Sequence, residues 1–108
     1  MEPLMREHNL YNDTADNFHT GRKVVGNTVV QVVTVTLADL VKGIQVKAGA
    51  GNTDIIYVGK DGCTDGTAVT TDGMQLSAGQ GVFIPVKDVA LVYAIADAAS
   101  QDLYWLAI

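Results

Sequence analysis

Enzyme chemistry needs a nucleophile, a base or a metal held in fixed geometry, and few side chains of this sequence offer one. The two histidines, His8 and His19, both fall within the first 21 residues. The two serines, Ser77 and Ser100, stand outside any G-x-S-x-G elbow, the turn that lifts a serine hydroxyl into reach of substrate. Cys63 sits in Gly62-Cys63-Thr64 with no histidine near it in sequence. A reactive thiol needs an electropositive setting, so Cys63 reads as non-catalytic. A single cysteine also excludes an internal disulfide and a multi-thiolate metal site. Asp61, Asp65 and Asp72 each precede a glycine. They offer oxygen ligands for Ca²⁺, but the segment lacks the EF-hand order and its bidentate glutamate. Asp-Gly pairs favour tight turns, and turn chemistry is the expectation for 61–73. Gly49-Ala50-Gly51 is followed by the apolar run Ile55-Ile56-Tyr57-Val58, whereas a nucleotide loop needs a helix there. The expectation is a chain without catalytic residues, metal or cofactor, and not an enzyme.

Aromatic side chains leave a binding role open. Tyr57, Phe83, Tyr93, Tyr104 and Trp105 would suit a carbohydrate platform, but each lies on a predicted strand. Packing in the core or at a subunit interface is the simpler use of such residues. Tyr104 and Trp105 are the candidates for the subunit interface.

The background composition narrows the classes further. The 108 residues carry a net charge of −5, with 18% charged and 48% hydrophobic residues. That is too apolar for disorder of the whole chain, and the length fits one domain. Area scaling allows about 65% of the surface to be buried, a thin core. An acidic balance with only Arg22 and Lys23 adjacent among the basic residues argues against phosphate-backbone binding. No signal peptide is read at the start. No apolar run approaches the roughly 18 residues of a membrane span. Asn12-Asp13-Thr14 matches a glycosylation sequon, without a secretory context to use it.

Residues 1–21 differ from the rest. They contain both histidines and both glutamates, while every valine lies after residue 23. Their apolar residues are too few to offset backbone ordering of about 1–2 kcal/mol per residue. The expectation is an extended N-terminal arm over 1–21 and a β domain over 22–108. The arm either stays disordered or orders on a neighbour through Leu4, Leu10, Tyr11 and Phe18.

From Arg22 onward, β-branched residues dominate, and these fit a pleated surface better than a helix. Residues 22–36 alternate around an interruption at Gly26-Asn27. In 43–48, Ile44, Val46 and Ala48 alternate with Gln45 and Lys47, the period of a half-buried strand. Further strands are expected at 54–59, 82–87, 91–96 and 102–107, with a short one at Thr67–Thr71. Pro85 cannot donate to a ladder, so 82–87 should be an edge strand or bulge. Asp97–Gln101 suits a hairpin loop. Leu37–Lys42, ending at Gly43, is the single internal stretch with helical character. Seven or eight strands without a βαβ rhythm give an all-β fold, an antiparallel β-sandwich or jelly-roll-like barrel.

Over residues 43–96 the order of elements becomes specific. Gly43–Ala48 is followed by Asn52, Ile56-Tyr57-Val58-Gly59, Gly73, Leu76 and Ala78-Gly79-Gln80. Phe83-Ile84-Pro85-Val86, Asp88 and Leu91–Ala96 complete the series. This string resembles small structural proteins of tailed bacteriophages, above all capsid decoration or cement proteins. The resemblance implies a jelly-roll-like fold, a homotrimer, and clamping of the major capsid protein on the surface of the virion. No nucleic-acid, membrane or small-molecule partner is expected. The capsid contacts would come from Leu4, Leu10, Tyr11, Phe18, Arg22 and Lys23. The alternatives are a phage tail or head-fibre accessory protein and, in another class, a small carbohydrate-binding module.

Overall fold

The computed structural model describes residues 18–37 and 42–108. Eight strands form two four-stranded antiparallel sheets. They are β1 (His19–Val25), β2 (Val30–Gln31), β3 (Ile44–Ala48) and β4 (Ile56–Gly59), then β5 (Met74–Leu76), β6 (Gly81–Ile84), β7 (Tyr93–Ala96) and β8 (Gln101–Ala107). One sheet has the order β1-β8-β3-β6 and the other β2-β7-β4-β5. The hydrogen-bonded pairs include β1 with β8, β2 with β7, β3 with β6 and β4 with β5. Nested pairs of this kind are what one long antiparallel hairpin gives when rolled up. The chain is an all-β jelly-roll sandwich, as its sequence pattern implies.

Alternation along the strands builds the core. In β3, Ile44, Val46 and Ala48 are buried while Gln45 and Lys47 are exposed. Side chains of a strand point alternately to opposite faces, so one face seals against the other sheet. Val25, Ile44, Val46 and Leu103 meet Val33, Ile56 and Val89 in that layer. Burying each such side chain stabilises the fold by about 1.5–3 kcal/mol.

Several sequence expectations change in detail. β1 begins at His19, two residues before Gly21, because His19 already pairs with Ala107 of β8. Gly26-Asn27 marks the point where the chain leaves one sheet for the other. β6 ends at Ile84, directly before Pro85, and is an edge strand. Thr67–Thr71 forms turns rather than a strand. Most of the expected helix over 37–42 lies outside the described residues. The Asp97–Gln101 segment is not a hairpin loop: β7 and β8 lie in different sheets. Turn residues there mark a change of direction, and cannot distinguish a hairpin from a crossing. β4–β5 is the one consecutive pair within a single sheet.

A buried amide fixes that crossing. The Gln101 side-chain carbonyl accepts from the Thr53 and Asp54 backbone N–H groups, each at 2.9 Å. Its amide nitrogen donates to Thr53 Oγ1 at 3.1 Å and to the Ala99 carbonyl at 2.9 Å. Next to it, Asn52 donates to the Asp102 carbonyl and accepts from the Asp102 N–H, both at 2.9 Å. Together they tie the β3–β4 connection to the start of β8 and leave no polar atom of Gln101 unmet.

Candidate functional site

Register assembles the outer face of the β1-β8-β3-β6 sheet from residues far apart in sequence. Arg22, Tyr104 and Lys47 stand side by side on β1, β8 and β3. Thr20, Leu106, Gln45 and Phe83 form the adjacent row. Val24 and Asp102 pair beyond Arg22 and Tyr104. Opposed side chains in such rows have Cβ atoms about 4.5–5.5 Å apart, close enough for the two cations to flank the tyrosine ring. Val24, Phe83 and Tyr104 are all exposed, Tyr104 by 46%. A shallow groove of about 630 Å³ runs over Arg22, Gln45, Lys47, Tyr104 and Leu106.

Strand alternation separates residues that are neighbours in sequence. Arg22 is exposed on this outer face, while Lys23 is half-buried on the opposite one. Tyr104 faces outward, while Trp105 packs against the core. Trp105 lies opposite Gly21, where a Cβ would fall 2.5 Å from the indole ring. Glycine there gives the ring its space. Phe18 is exposed just ahead of β1. Leu4, Leu10 and Tyr11 lie outside the described residues.

A second feature covers the outer face of the other sheet. Tyr57 points away from the core, yet is buried, because the 60–73 loop folds over it. A Cβ on Gly66 would lie 3.2 Å from the tyrosine hydroxyl. The hydroxyl donates to Asp97 Oδ2 at 3.2 Å. Burial, followed by the Asp97 carboxylate, holds the Tyr57 phenol above its ordinary pKa. Asp72 organises the loop: Oδ1 accepts from Thr64 Oγ1 at 2.6 Å and from the Gly66 and Ala68 N–H groups, each at 3.0 Å. The Thr64 hydroxyl and then those amides hold its carboxyl below the ordinary value. Asp72 therefore spends one oxygen on its own loop. Among the described residues no three His, Cys, Asp or Glu side chains converge on a metal position. Cys63, within the same loop, is buried with its side chain against Gly59, and burial pushes its thiol up, away from the reactive thiolate.

A third feature is a cleft of about 700 Å³ between the sheets at their β6 and β5 edges. Val82 and Ile84 line one side and Val58 and Met74 the other, with Val86 and Leu91 at one end. Lys60 and Asp61 supply its charged rim. The sequence pattern places Val82, Ile84 and Leu91 on the expected strands 82–87 and 91–96, but hydrophobic pattern cannot reveal whether a facing sheet closes over them. Gln45 and Lys47, by contrast, were legible as an outward face from their alternation alone.

No protein-family profile and no curated protein matches the chain. Solved structures do resemble it. A structure of IMPa from Pseudomonas aeruginosa in complex with an O-glycopeptide is similar at 11% identity and a TM-score of 0.50, over 86% of this chain. A second structure of the IMPa metallopeptidase is similar at 12% identity and a TM-score of 0.49. This chain spans 12% of the length of either. A subunit of Bacillus endospore appendages, a family of disulfide-linked pili, is similar at 16% identity and a TM-score of 0.48, over 84% of this chain and 81% of that one. At such identities the likeness concerns the sandwich fold alone.

Proposed function

We propose that the chain is a bacteriophage capsid decoration protein. It binds the outside of the head, bridges major capsid subunits and acts as a homotrimer. In this reading the work is binding, not catalysis, and the site of action is the virion surface. The observation that carries it is the outer face of the β1-β8-β3-β6 sheet. That face sets Tyr104, Phe83, Leu106 and Val24 around the cations Arg22 and Lys47, on a chain of net charge −5. Aromatic side chains and arginine are enriched in the energetic centres of protein interfaces. Lysine and arginine beside them favour an acidic partner surface. The sequence resemblance over 43–96 supports the same reading, and the jelly roll is an architecture that capsid proteins use.

Leu4, Leu10, Tyr11 and Phe18 remain the proposed arm anchors. Arg22 is the cation of its pair that shares the outer face, whereas Lys23 lies behind it. The test mixes purified protein with expanded capsids that lack it. Saturable binding with a raised capsid melting temperature is expected. Absence of both overturns the proposal.

A further inference from the structure

The apolar cleft between β5 and β6 lies within reach of the chain's own N-terminal segment. His19 pairs with Ala107, Ala107 with Ile44, and Ile44 with Ile84. These four residues therefore form one row across the sheet, and the row ends at the cleft wall. Three strand spacings of about 4.8 Å put Ile84 roughly 14 Å from the point where β1 begins. β1 thus begins at the end of the sheet where Ile84 lines the cleft. Seventeen residues precede Phe18. Seven residues back, Tyr11 can extend about 24 Å from it, farther than the row requires. Leu10 and Tyr11 are adjacent apolar residues at that reach. The cleft offers them Met74 and Leu91, two apolar side chains each 58% exposed.

We infer that Leu10 and Tyr11 of the N-terminal segment dock in the cleft between β5 and β6 of the same chain. A segment tethered this closely meets the cleft at an effective concentration in the millimolar range, which favours the chain's own segment over that of another copy. The inference concerns the free protein and stands independently of the capsid reading. If both hold, a capsid surface must compete with the cleft for the same anchors.

A disulfide trap in the full-length chain tests it. In a C63A background, Leu10→Cys is combined with Leu91→Cys at the cleft, or with Val69→Cys on the exposed 60–73 loop as control. Mild oxidation should cross-link the cleft pair within monomers at least about tenfold faster than the control pair. Equal rates, no cross-link, or dimers alone overturn the inference. A second readout avoids engineered thiols. Amide exchange over Val86–Tyr93 should be faster in the L10D/Y11D variant than in the unaltered chain, with the far-ultraviolet circular dichroism unchanged. Unchanged exchange in the folded variant also overturns it.

Discussion

Replacing Gln101 by leucine tests whether a single buried amide holds the β7–β8 crossing in place. The side chain is 3% exposed and takes part in four hydrogen bonds, accepting two from backbone N–H groups and donating two. Each such bond contributes about 0.5–1.5 kcal/mol net, and a donor stranded without its acceptor costs about 1–3 kcal/mol. Leucine keeps the volume but meets none of them. The Thr53 and Asp54 amides are partly accessible, so water recovers some of the loss. The expected destabilisation is about 2–4 kcal/mol. For a domain this size that lowers the melting temperature by about 10–20 °C. Urea unfolding followed by Trp105 fluorescence measures it, with an unchanged denaturant slope showing that the denatured state is unaltered. Gln75→Leu, on an exposed position of β5, is the control and should fall within about 0.5 kcal/mol of the parent. If Gln101→Leu does likewise, the amide network is incidental and the crossing is held by apolar packing alone.

Three further outcomes are expected. Gly43 has φ +141, and a Cβ there would meet the Ile84 carbonyl oxygen at 2.2 Å. Gly43→Ala should therefore destabilise by at least about 2 kcal/mol, whereas Gly51→Ala, with open space around it, should be neutral or raise stability by about 0.4–1 kcal/mol; thermal melts compare them. The Asp72 carboxyl has its folded pKa below the unfolded value, so its contribution is complete above about pH 4 and fades as pH falls through the folded pKa. Protection of the Gly66 and Ala68 amides should be lost over that acid range, and the gap between parent and Asp72→Ala should close there. If the chain is the proposed decoration protein, Arg22→Glu with Lys47→Glu on the outer face should weaken capsid binding about 10–100-fold, mainly through the association rate, and Tyr104→Ala about tenfold or more; binding kinetics on capsids with the fold checked by circular dichroism would show either.

The strands were legible because their physics is local. Ile44, Val46 and Ala48 against Gln45 and Lys47 state a half-buried strand without any knowledge of its partners. Pro85 announced an edge because a missing N–H cannot be compensated inside a ladder. Pairing was another matter. The segment between β7 and β8 has the composition of a hairpin loop, yet the chain crosses to the other sheet. That outcome depends on β8 fitting between β1 and β3, whose pairings span most of the sequence. The start of β1 escaped for the same reason: His19 and Thr20 belong to the sheet through Ala107 and Leu106, not through any strand propensity of their own. A truncation that spares the sandwich therefore ends at residue 17 rather than 21, since the longer cut removes three rungs of the β1–β8 ladder.

The candidate surfaces were harder to see because they are products of register. Arg22 and Lys23 look like one basic pair in sequence, but β1 sends them to opposite faces. Tyr104 and Trp105 look like one aromatic pair, but Trp105 packs its ring into the space that Gly21 leaves, so Tyr104 is the one that stands exposed on the outer face. The row Arg22–Tyr104–Lys47 unites residues drawn from three strands, and no local pattern contains it. The cleft follows the same logic in reverse. Val82 and Ile84 alternate as core residues should, and they do face inward. They stay partly open because the β5 edge opposite them is three residues long and the β4–β5 connection folds outward over Tyr57 instead of across the gap. The loop that protects one face of the sandwich is thereby withheld from its edge. That division of labour leaves an apolar opening at the end of the sheet where β1 begins.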